Sequence, residues 1–286
     1  MTVQTGRLVL VATPIGNLGD ITLRALDVLR TADVVLCEDT RHSRKLFQHF
    51  DIPTVGRLRA AHQHNEAAAA ESVVRDARAG LTVAYISDAG MPGVSDPGER
   101  LVAACVAAEI PVEVVPGASA VIAGLVLSGF STDRFVFEGF LPRRGTERAQ
   151  RLHALAVETR TVVCFEAPHR MIATIGDLAE VCGGTRLVAL ARELTKLHET
   201  IWRGPLSKAT AYLELRAPRG EYVIVLAPAV IEERFVTDAE LTSALTPLID
   251  EGMSTRDAAD AVSEALGVAR RRVYETATAL RRGRRP

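Results

Sequence analysis

Residues 86–98 combine the side-chain types that build ligand sites at the end of a strand. A run rich in β-branched and aromatic residues leads into two carboxylates, Asp88 and Asp96, which provide charge. Glycines at positions 90, 93 and 98 let the backbone approach a ligand closely. Because ligands of α/β proteins gather beyond the carboxyl ends of strands, this segment predicts one wall of a cleft. An alternative stays open, in which Asp96 caps the next helix and Pro97 is its first residue.

Similar polar motifs follow the other predicted strands. They begin at Thr13, Cys37, Ser87, Pro116, Phe165, Ala191 and Arg219. Five of these seven motifs contain a carboxylate. One such motif is weak evidence, but their recurrence predicts a site that is assembled from several strand ends, in a cleft between two domains.

Alternating strand and helix patterns position these motifs. Strands are predicted at 7–12, 33–38, 82–87 and 112–115, with helices at 23–29, 66–79 and 99–108. This alternation predicts a mostly parallel sheet. A second series has strands at 135–138, 161–166, 186–191 and 221–227, with helices at 147–158, 171–181 and 206–215. We therefore expect two α/β domains, 1–116 and 117–235, followed by a small helical domain at 236–286.

The last segment predicts two short helices with a basic second member. Ser254 is a suitable N-cap, Gly267 interrupts the apolar pattern, and a second helix is expected from about Ala269. This arrangement resembles a helix-turn-helix. Residues 269–286 hold seven arginines and one acid, a charge of +6, so residues 1–268 carry −7 of the chain's total of −1. The basic segment indicates a polyanionic partner, although a solvated helical cap is an equal alternative.

The composition is that of a globular protein. Hydrophobic residues make up 48% of the 286 positions, charged residues make up 24%, and no apolar run reaches the length of a membrane span. Residues 1–14 lack a basic region and a signal-peptide cleavage pattern, so we expect a cytoplasmic protein. The four cysteines have no metal-ligand spacing, and we expect reduced, mostly buried thiols.

The sequence lacks the motifs of several common kinds of binding and catalytic site. The chain has neither a phosphate-binding P-loop nor the Gly-x-Gly-x-x-Gly fingerprint, which weakens nucleotide interpretations. The pair His62 and His64 has no obvious third partner, so no metal site is expected. Ser119 lies outside a Gly-x-Ser-x-Gly elbow and is better interpreted as a helix N-terminal hydroxyl or a ligand contact.

Seven motifs together resemble the tetrapyrrole methylase superfamily, in particular its branch that methylates ribosomal RNA. They are Thr13-Pro-Ile-Gly-Asn-Leu-Gly-Asp20, Glu38-Asp-Thr-Arg41, Ser87-Asp-Ala-Gly-Met-Pro92, Glu138-Gly-Phe-Leu-Pro-Arg143, Pro168-His-Arg170, Ala191-Arg-Glu-Leu-Thr-Lys196 and Gly220-Glu221. The resemblance spans about residues 7–227 in motif order. Two departures from the pattern are Met91, where threonine is commoner, and Ala167, where serine is commoner.

The resemblance implies S-adenosylmethionine held between two α/β domains, and methyl transfer to the ribose 2′-hydroxyl of a cytidine in 16S rRNA of the small ribosomal subunit. A homodimer is also implied. Carried over motif by motif, the cofactor contacts are Pro14, Asp88, Ala89, Gly90, Met91, Ser119, Ala120, Phe165, Ala191 and Glu221. The ligand's sulfonium and ammonium groups suit carboxylates and carbonyls better than an anion-binding loop.

Removing the proton of the acceptor hydroxyl and binding the phosphates of RNA require residues other than the cofactor contacts. Candidate catalytic groups at strand ends are Asp39, Glu166, Glu193 and Lys196, where burial could shift a pKa. An ion-pair network that ties down a loop is an equal alternative for Arg192, Glu193 and Lys196. Candidate RNA contacts are Arg41, Arg143, Arg144, Arg270, Arg271 and Arg272.

Two other functions remain open. A methyltransferase of the same superfamily could act on a tetrapyrrole or another small molecule, for which the +6 segment would be unnecessary. A non-catalytic RNA-binding or assembly module would bind RNA in a salt-sensitive way without affinity for the cofactor. The carboxylate-rich strand ends argue against that module, since they repel phosphate.

Overall fold

The computed structural model describes residues 6–62, 65–230 and 236–283. It divides into two compact units, Met1–Val230 and Ile231–Pro286. The first unit contains two five-stranded sheets with helices, and the described part of the second unit is helical. Within the described residues no helix is long and apolar enough to cross a membrane.

The first sheet is entirely parallel. Its strands are β1 (Arg7–Val11), β2 (Val34–Cys37), β3 (Leu58–Ala60), β4 (Thr82–Ile86) and β5 (Val112–Val115), in the order β3-β2-β4-β1-β5. Alternate residues of β1 face opposite sides, so Leu8 packs beneath helices α3 (Glu66–Arg78) and α4 (Glu99–Ala107). Val9 packs beneath α1 (Leu23–Thr31) and α2 (Thr40–His49). Helices therefore cover both faces, and the strand ends remain free to form a site.

The second sheet is mostly antiparallel. Its strands are β6 (Phe135–Phe140), β7 (Thr161–Glu166), β8 (Leu187–Arg192), β9 (Thr200–Pro205) and β10 (Tyr222–Leu226), in the order β6-β7-β10-β8-β9. Only β6 and β7 pair in parallel. One face is covered by α6 (Gly145–Val157), α7 (Met171–Cys182) and α8 (Leu206–Leu215).

Helix α5 (Ala120–Ser128) connects the two sheets along the chain and packs on the other face of the second sheet. Gly124 allows this close packing, because a Cβ there would lie 2.7 Å from Cγ1 of Val223. The same apolar cluster includes Ile15, which follows β1 of the first sheet. One hydrophobic core therefore joins α5, the second sheet and a loop of the first sheet.

The second unit contains three helices in its described residues, α9 (Asp238–Asp250), α10 (Thr255–Leu266) and α11 (Arg270–Arg282). The predicted cap is confirmed, because the Ser254 hydroxyl accepts the backbone N–H of Asp257. Gly267 ends α10 in the left-handed conformation, as a helix C-terminus prefers. Val262, Val273 and Ala277 are buried in a core of their own.

The alternative assignment of Asp96 and Pro97 to the start of a helix is wrong. Helix α4 begins at Glu99 with Gly98 at its N-cap, so Asp96 does not cap it and Pro97 is not in it. Asn65 occupies the N-cap of α3, but its side chain accepts from His62 N and donates to Ala60 O instead of capping the helix. The domain boundaries given above remain predictions.

Candidate active site

A cavity of about 350 Å³ is lined by segments from both sheets. This volume lies within the range of about 300–1,000 Å³ that is usual for small-molecule sites. Its wall is mainly apolar. The lining residues are Ile15, Ala89, Gly90, Met91, Val94, Ser95, Asp96, Ser119, Ala120, Val121, Phe140, Phe165, Glu166, Ala167, Pro168, Leu194, Gly220, Glu221, Tyr222 and Val223.

The first-sheet side of the cavity depends on a short bridge between two strand-end loops. Thr13 N donates to Gly90 O at 2.9 Å, and Gly90 N donates to Thr13 O at 3.1 Å. Gly90 has a φ of +81°, a conformation that glycine adopts without strain. A Cβ there would also approach Cγ2 of Ile15 to 3.2 Å. The loops after β1 and β4 are thus held together where they meet the cavity.

Ser119 and Ala120 enter the cavity at the N-terminus of α5. The Ser119 hydroxyl accepts the backbone N–H of Ile122 at 3.5 Å, which confirms the prediction of a helix N-terminal hydroxyl. The preceding Gly117 packs against Ala12, the residue after β1, because a Cβ there would lie 2.9 Å from the Cβ of Ala12. The start of α5 is therefore fixed against the first sheet.

Aromatic rings from β6 and β7 form part of the opposite wall. The Phe165 ring lies 5.1 Å from the Phe137 ring and 5.6 Å from the Phe140 ring, measured between centroids. A bulge in β6 between Phe137 and Gly139 brings this strand against the first-sheet loop. A Cβ on Gly139 would lie 3.3 Å from the Ser95 hydroxyl, so the two walls meet at this point.

The carboxylates on the first-sheet side crowd one another. Burial raises the pKa of Asp96 to about 6, and the Asp88 charge adds to this, while a hydrogen bond with Ser87 opposes it. Burial also raises the pKa of Glu38, and the charges of Asp96 and Asp88 add to it. Within the described residues, no Lys or Arg is among the main influences on either pKa. The ionised forms of Glu38 and Asp96 are therefore costly, and a bound cation would reduce that cost.

Glu166, at the end of β7, is 2% exposed, and both of its carboxylate oxygens have hydrogen-bond or ion-pair partners. Its carboxylate accepts from the Thr174 hydroxyl at 2.6 Å and from Ala167 N at 2.8 Å. Arg170 Nε lies 3.2 Å from it. Since each oxygen already has a partner, Glu166 serves to hold the loop after β7.

Glu193, Lys196 and Glu221 form a second paired cluster. Lys196 Nζ lies 2.9 Å from a carboxylate oxygen of each glutamate, and Glu193 also accepts from Glu221 N at 2.9 Å. Burial disfavours the charged form of Glu193, but these hydrogen bonds lower its pKa below the ordinary value. Burial likewise opposes the charge of Lys196, yet the two glutamates raise its pKa. Both groups are therefore ionised and bound to each other.

The Glu193 cluster also has an unusual backbone. Glu193 and Thr195 have φ values of 53° and 65°, which few residues other than glycine adopt. Gly220 lies against Glu193, because a Cβ there would be 2.4 Å from the Glu193 carboxyl carbon. Gly16 of the first-sheet loop packs on Lys196 in the same way, at 2.4 Å from its Cγ. The cluster thus fixes the loop after β8 against both β10 and the first sheet.

The structure brings most predicted cofactor contacts to one cavity and separates three from it. Those that line it are Ala89, Gly90, Met91, Ser119, Ala120, Phe165 and Glu221. Pro14 and Asp88 line a neighbouring cavity of about 320 Å³, together with His42 and Lys45. Ala191 is 1% exposed in the core of the second sheet and lines neither cavity.

The other predicted residues are dispersed. Asp39 is the N-cap of α2, where its carboxylate accepts from Arg41 N at 2.7 Å, and this bond lowers its pKa. Asp39 N in turn donates to Asp88 at 3.2 Å. The side chains of Arg41, Arg143 and Arg144 are exposed, and Arg270, Arg271 and Arg272 lie in the second unit. Within the described residues no three His, Cys, Asp or Glu side chains are grouped to hold a metal ion, and His64 lies outside these residues.

Several lining residues were missed by the sequence predictions. Asp96 was in the opening motif, but its role as a helix cap was equally plausible. Phe140 and Tyr222 lie inside strands, where an aromatic side chain predicts only a core position. The carboxylate-rich ends of neighbouring strands were the signal that could have identified Asp96.

The family models that match this chain agree with this architecture. The model described as "Tetrapyrrole (Corrin/Porphyrin) Methylases" matches residues 7–210, and "RsmI C-terminal HTH domain" matches residues 236–281. Crystal structures of similar fold include uroporphyrin-III-C-methyltransferase from Thermus thermophilus, with a TM-score of 0.56 and 24% identity over 79% of this chain and 96% of that one. The methyltransferase CobJ has a TM-score of 0.61 and 20% identity over 78% of this chain and 95% of that one.

The chain belongs to the tetrapyrrole methylase family. The predicted fold class is confirmed, with two α/β regions followed by a helix-turn-helix domain. The full-length relatives are more specific. Proteins named "Ribosomal RNA small subunit methyltransferase I" are 46% identical in Synechocystis, over 96% of this chain and 98% of that protein. The protein of that name in Escherichia coli O157:H7 is 40% identical, over 95% of this chain and 94% of that protein.

Proposed function

We propose that this chain transfers the methyl group of S-adenosylmethionine to the ribose 2′-hydroxyl of a cytidine in 16S rRNA. The observation that carries the proposal is a mainly apolar cavity between two sheets, whose first-sheet wall contains the desolvated carboxylate of Asp96. The Glu38 carboxylate interacts with Asp96 from outside the cavity lining and is desolvated as well. A small ligand that carries positive charge and no phosphate fits this donor set. The superfamily member uroporphyrin-III C-methyltransferase from Thermus thermophilus, at a TM-score of 0.55, was crystallised with S-adenosylhomocysteine, the demethylated product of such a ligand.

S-adenosylmethionine supplies an electrophilic methyl group, so the protein's task is alignment and electrostatic support. The rings of Phe140 and Phe165 and the backbone around Gly90 offer apolar contact surface in the cavity. Asp96 in the cavity wall, with Glu38 and Asp88 close by, lowers the energy of a bound cation. The start of α5 at Ser119 offers a hydroxyl and backbone N–H groups for the ligand's carboxylate.

The four candidate catalytic groups can be ranked by whether their side chains are already held by protein partners. Glu166 is held by Thr174 and Arg170, and Glu193 and Lys196 are held by each other. Asp39 is exposed and forms no ion pair with another described residue. It lines neither cavity itself, but its backbone N–H donates to Asp88, which lines the neighbouring one. We therefore assign Asp39 first place among the four. Its lowered pKa makes it a weak base, which suits orientation of the acceptor hydroxyl better than early removal of its proton.

The RNA acceptor is preferred to a tetrapyrrole because of how much of the chain each set of relatives covers. The uroporphyrin-III C-methyltransferase structures extend over 79% of this chain, whereas the two rRNA methyltransferases from Synechocystis and Escherichia coli match 96% and 95% of it. The RNA-methylating relatives therefore share the second unit. A non-catalytic module does not fit membership in a family of methylases.

The proposal extends to the biological context. The substrate is 16S rRNA within the small ribosomal subunit, and the enzyme acts in the cytoplasm, where ribosomal subunits mature. The enzyme acts as a homodimer, which analytical ultracentrifugation would test directly. Arg41, Arg143 and Arg144 are exposed and stay proposed phosphate contacts.

Two measurements test the proposed reaction. Isothermal titration calorimetry should detect stoichiometric binding of S-adenosylmethionine to the purified chain. Mass spectrometry of nuclease-digested 16S rRNA should detect a 2′-O-methylated cytidine that is lost in a strain lacking the gene and restored by the gene on a plasmid. Modification that persists in the deletion strain, or transfer to a tetrapyrrole and not to RNA, would contradict the proposal.

A further inference from the structure

The charge of the second unit is not what its arginine-rich end suggests. Residues 231–286 contain nine arginines, no lysine and ten acids, a net charge of −1. The acids are Glu232, Glu233, Asp238, Glu240, Asp250, Glu251, Asp257, Asp260, Glu264 and Glu275. Attraction of RNA by overall charge is therefore absent in this part of the chain. Any RNA contact must come from one particular face.

Three of the five described arginines of α11 are used inside the unit. Arg270 forms an ion pair with Asp260 of α10. Arg272 lies 2.7 Å from Asp238 of α9 and also donates to Val236 O at 2.8 Å. Arg281 donates to Met253 O, in the turn between α9 and α10. These side chains tie the three helices together, so Arg270 and Arg272 are poorly placed as the RNA contacts predicted from the sequence.

The remaining side chains form one stripe along the outer face of α11. Arg271, Tyr274, Thr278 and Arg282 are spaced by three or four residues, which places them on the same side of a helix. The buried Val273 and Ala277 lie on the opposite side. Arg271 is 90% exposed, and its pairing with Glu275 is an exposed contact of little strength.

Tyr274 is the informative member of this stripe. It is 45% exposed, and it is the only aromatic residue among residues 236–283. An aromatic side chain that served the core of so small a unit would be buried with Val273. A ring exposed between two arginines instead suits a base that stacks on it, with phosphates bound on either side.

We propose that the stripe Arg271–Tyr274–Thr278–Arg282 binds a single-stranded segment of the RNA substrate, with Tyr274 stacked on an unpaired base. A single strand is favoured over a duplex, because the bases of an A-form helix are stacked on one another and offer no free face to a side chain. This inference rests on the proposed function, since it requires RNA as the substrate. It transfers the role of the RNA contact from Arg270 and Arg272 to Tyr274 and Arg282, and keeps Arg271.

Fluorescence anisotropy of the full chain with two labelled RNAs tests this proposal. One probe is a 12-nucleotide unstructured RNA, and the other is a hairpin duplex of the same composition, both with S-adenosylhomocysteine present. Tyr274→Ala should weaken binding of the single strand about tenfold, the effect of one stacked base. Tyr274→Phe keeps the ring and should bind like the wild type.

Charge variants locate the phosphate contacts. Arg271→Ala should weaken binding several-fold and reduce the slope of log affinity against log salt by about 0.7. Glu275→Gln removes the one acid on the same face and should tighten binding. Arg256→Ala is the matched control, because Arg256 is an exposed arginine of α10 outside the stripe, and it should leave the affinity unchanged.

The outcomes separate this inference from the proposed function. A wild-type chain that binds S-adenosylmethionine but neither RNA would contradict both. Wild-type RNA binding that Tyr274→Ala leaves intact, a preference for the duplex, or equal losses in Arg256→Ala and Arg271→Ala would overturn the stripe alone. Circular dichroism at 222 nm confirms that each variant keeps its helices.

Discussion

The carboxylates on the two sides of the candidate active site have opposite surroundings. On the second-sheet side, Glu166 and Glu193 each contact a cationic side chain and several hydrogen-bond donors. On the first-sheet side, Glu38 and Asp96 are partly buried, and no Lys or Arg of the described residues is among the main influences on their pKa values. The pKa of Glu193 is lowered, whereas those of Glu38 and Asp96 are raised.

This difference separates structural acids from functional ones. A carboxylate that has all its partners stabilises a loop and gains little from a ligand. A carboxylate without partners destabilises the empty protein and is relieved when a cation binds. Substitutions on the two sides should therefore have opposite effects on stability and on ligand affinity, and four predictions follow from this contrast in order of size.

Glu166→Ala should have the largest effect on stability. It removes the carboxylate that pairs with the Arg170 guanidinium, which is 18% exposed, and accepts from the buried Thr174 hydroxyl. Arg170 then keeps only its bonds to backbone carbonyls, and Thr174 keeps only the donor Arg148. Breaking a buried pair in this way costs about 3–5 kcal/mol of the free energy of unfolding. Urea denaturation measures this loss. Glu221→Ala is the control, because its side chain is 76% exposed and its ion pair should contribute at most about 1 kcal/mol.

Gly220→Ala should cause the next largest loss of stability. Its φ of +77° is strained for alanine, and the new methyl group would collide with the Glu193 carboxylate. Gly56→Ala is a matched control, with a φ of +73° and no atom within 4 Å of the added Cβ. The control should lose about 1 kcal/mol and Gly220→Ala about 2–3 kcal/mol. Equal losses would show that Glu193 is free to move away.

Asp96→Asn should weaken the binding of S-adenosylmethionine about tenfold, or about 1.4 kcal/mol, since it removes a negative charge from the cavity wall. The same change should stabilise the empty protein at pH 7 by about 1 kcal/mol, after allowance for the partial exposure of the group. Calorimetry and urea denaturation measure the two effects. A variant that loses stability and keeps its affinity would place Asp96 among the structural acids.

The smallest effect is the dependence of stability on pH. The pKa of Asp96 is raised from 3.8 to about 6, so the folded state binds a proton more tightly than the unfolded state does. Its contribution to stability is complete below pH 4 and is lost as the pH rises to about 6. The stability of the wild type minus that of Asp96→Asn should therefore fall across this window. The affinity for S-adenosylmethionine should rise over the same window, and a flat affinity would contradict the role of Asp96.

The sequence predicted the strands and helices that have a clear apolar period. It missed β3, with three residues, and α2, whose Thr-Arg-His-Ser-Arg-Lys start is polar. Strand β9 was missed as well, and two C-terminal helices were predicted where the described residues form three, because α9 was not recognised. It also missed α5, because Ala-Val-Ile-Ala-Gly-Leu-Val-Leu is apolar on every side and has no period to detect. The direction of strands in the second sheet was not predictable either, since β8, β9 and β10 pair through contacts that are distant in sequence.

The candidate site was predictable to the level of its motifs and not of its contacts. Seven of ten predicted cofactor residues line one cavity, because strand ends meet at one edge of a sheet. Which carboxylate has a partner depends on side chains far away in sequence, such as Thr174 for Glu166. The ion pairs of the α11 arginines with Asp238 and Asp260 were not predictable for the same reason, since they form only in the folded unit.

Helix α5 limits how the site can open. Its sequence neighbours are β5 of the first sheet and β6 of the second, its first residues line the cavity, and its Gly124 is packed tightly on β10. A hinge between the two sheets at this connection would have to pull Ser119 out of the cavity and break the core around Val223. Helix α5 is therefore a rigid connection between the two sheets. Widening of the cavity then requires its walls to separate away from α5, as at the contact between Ser95 and Gly139.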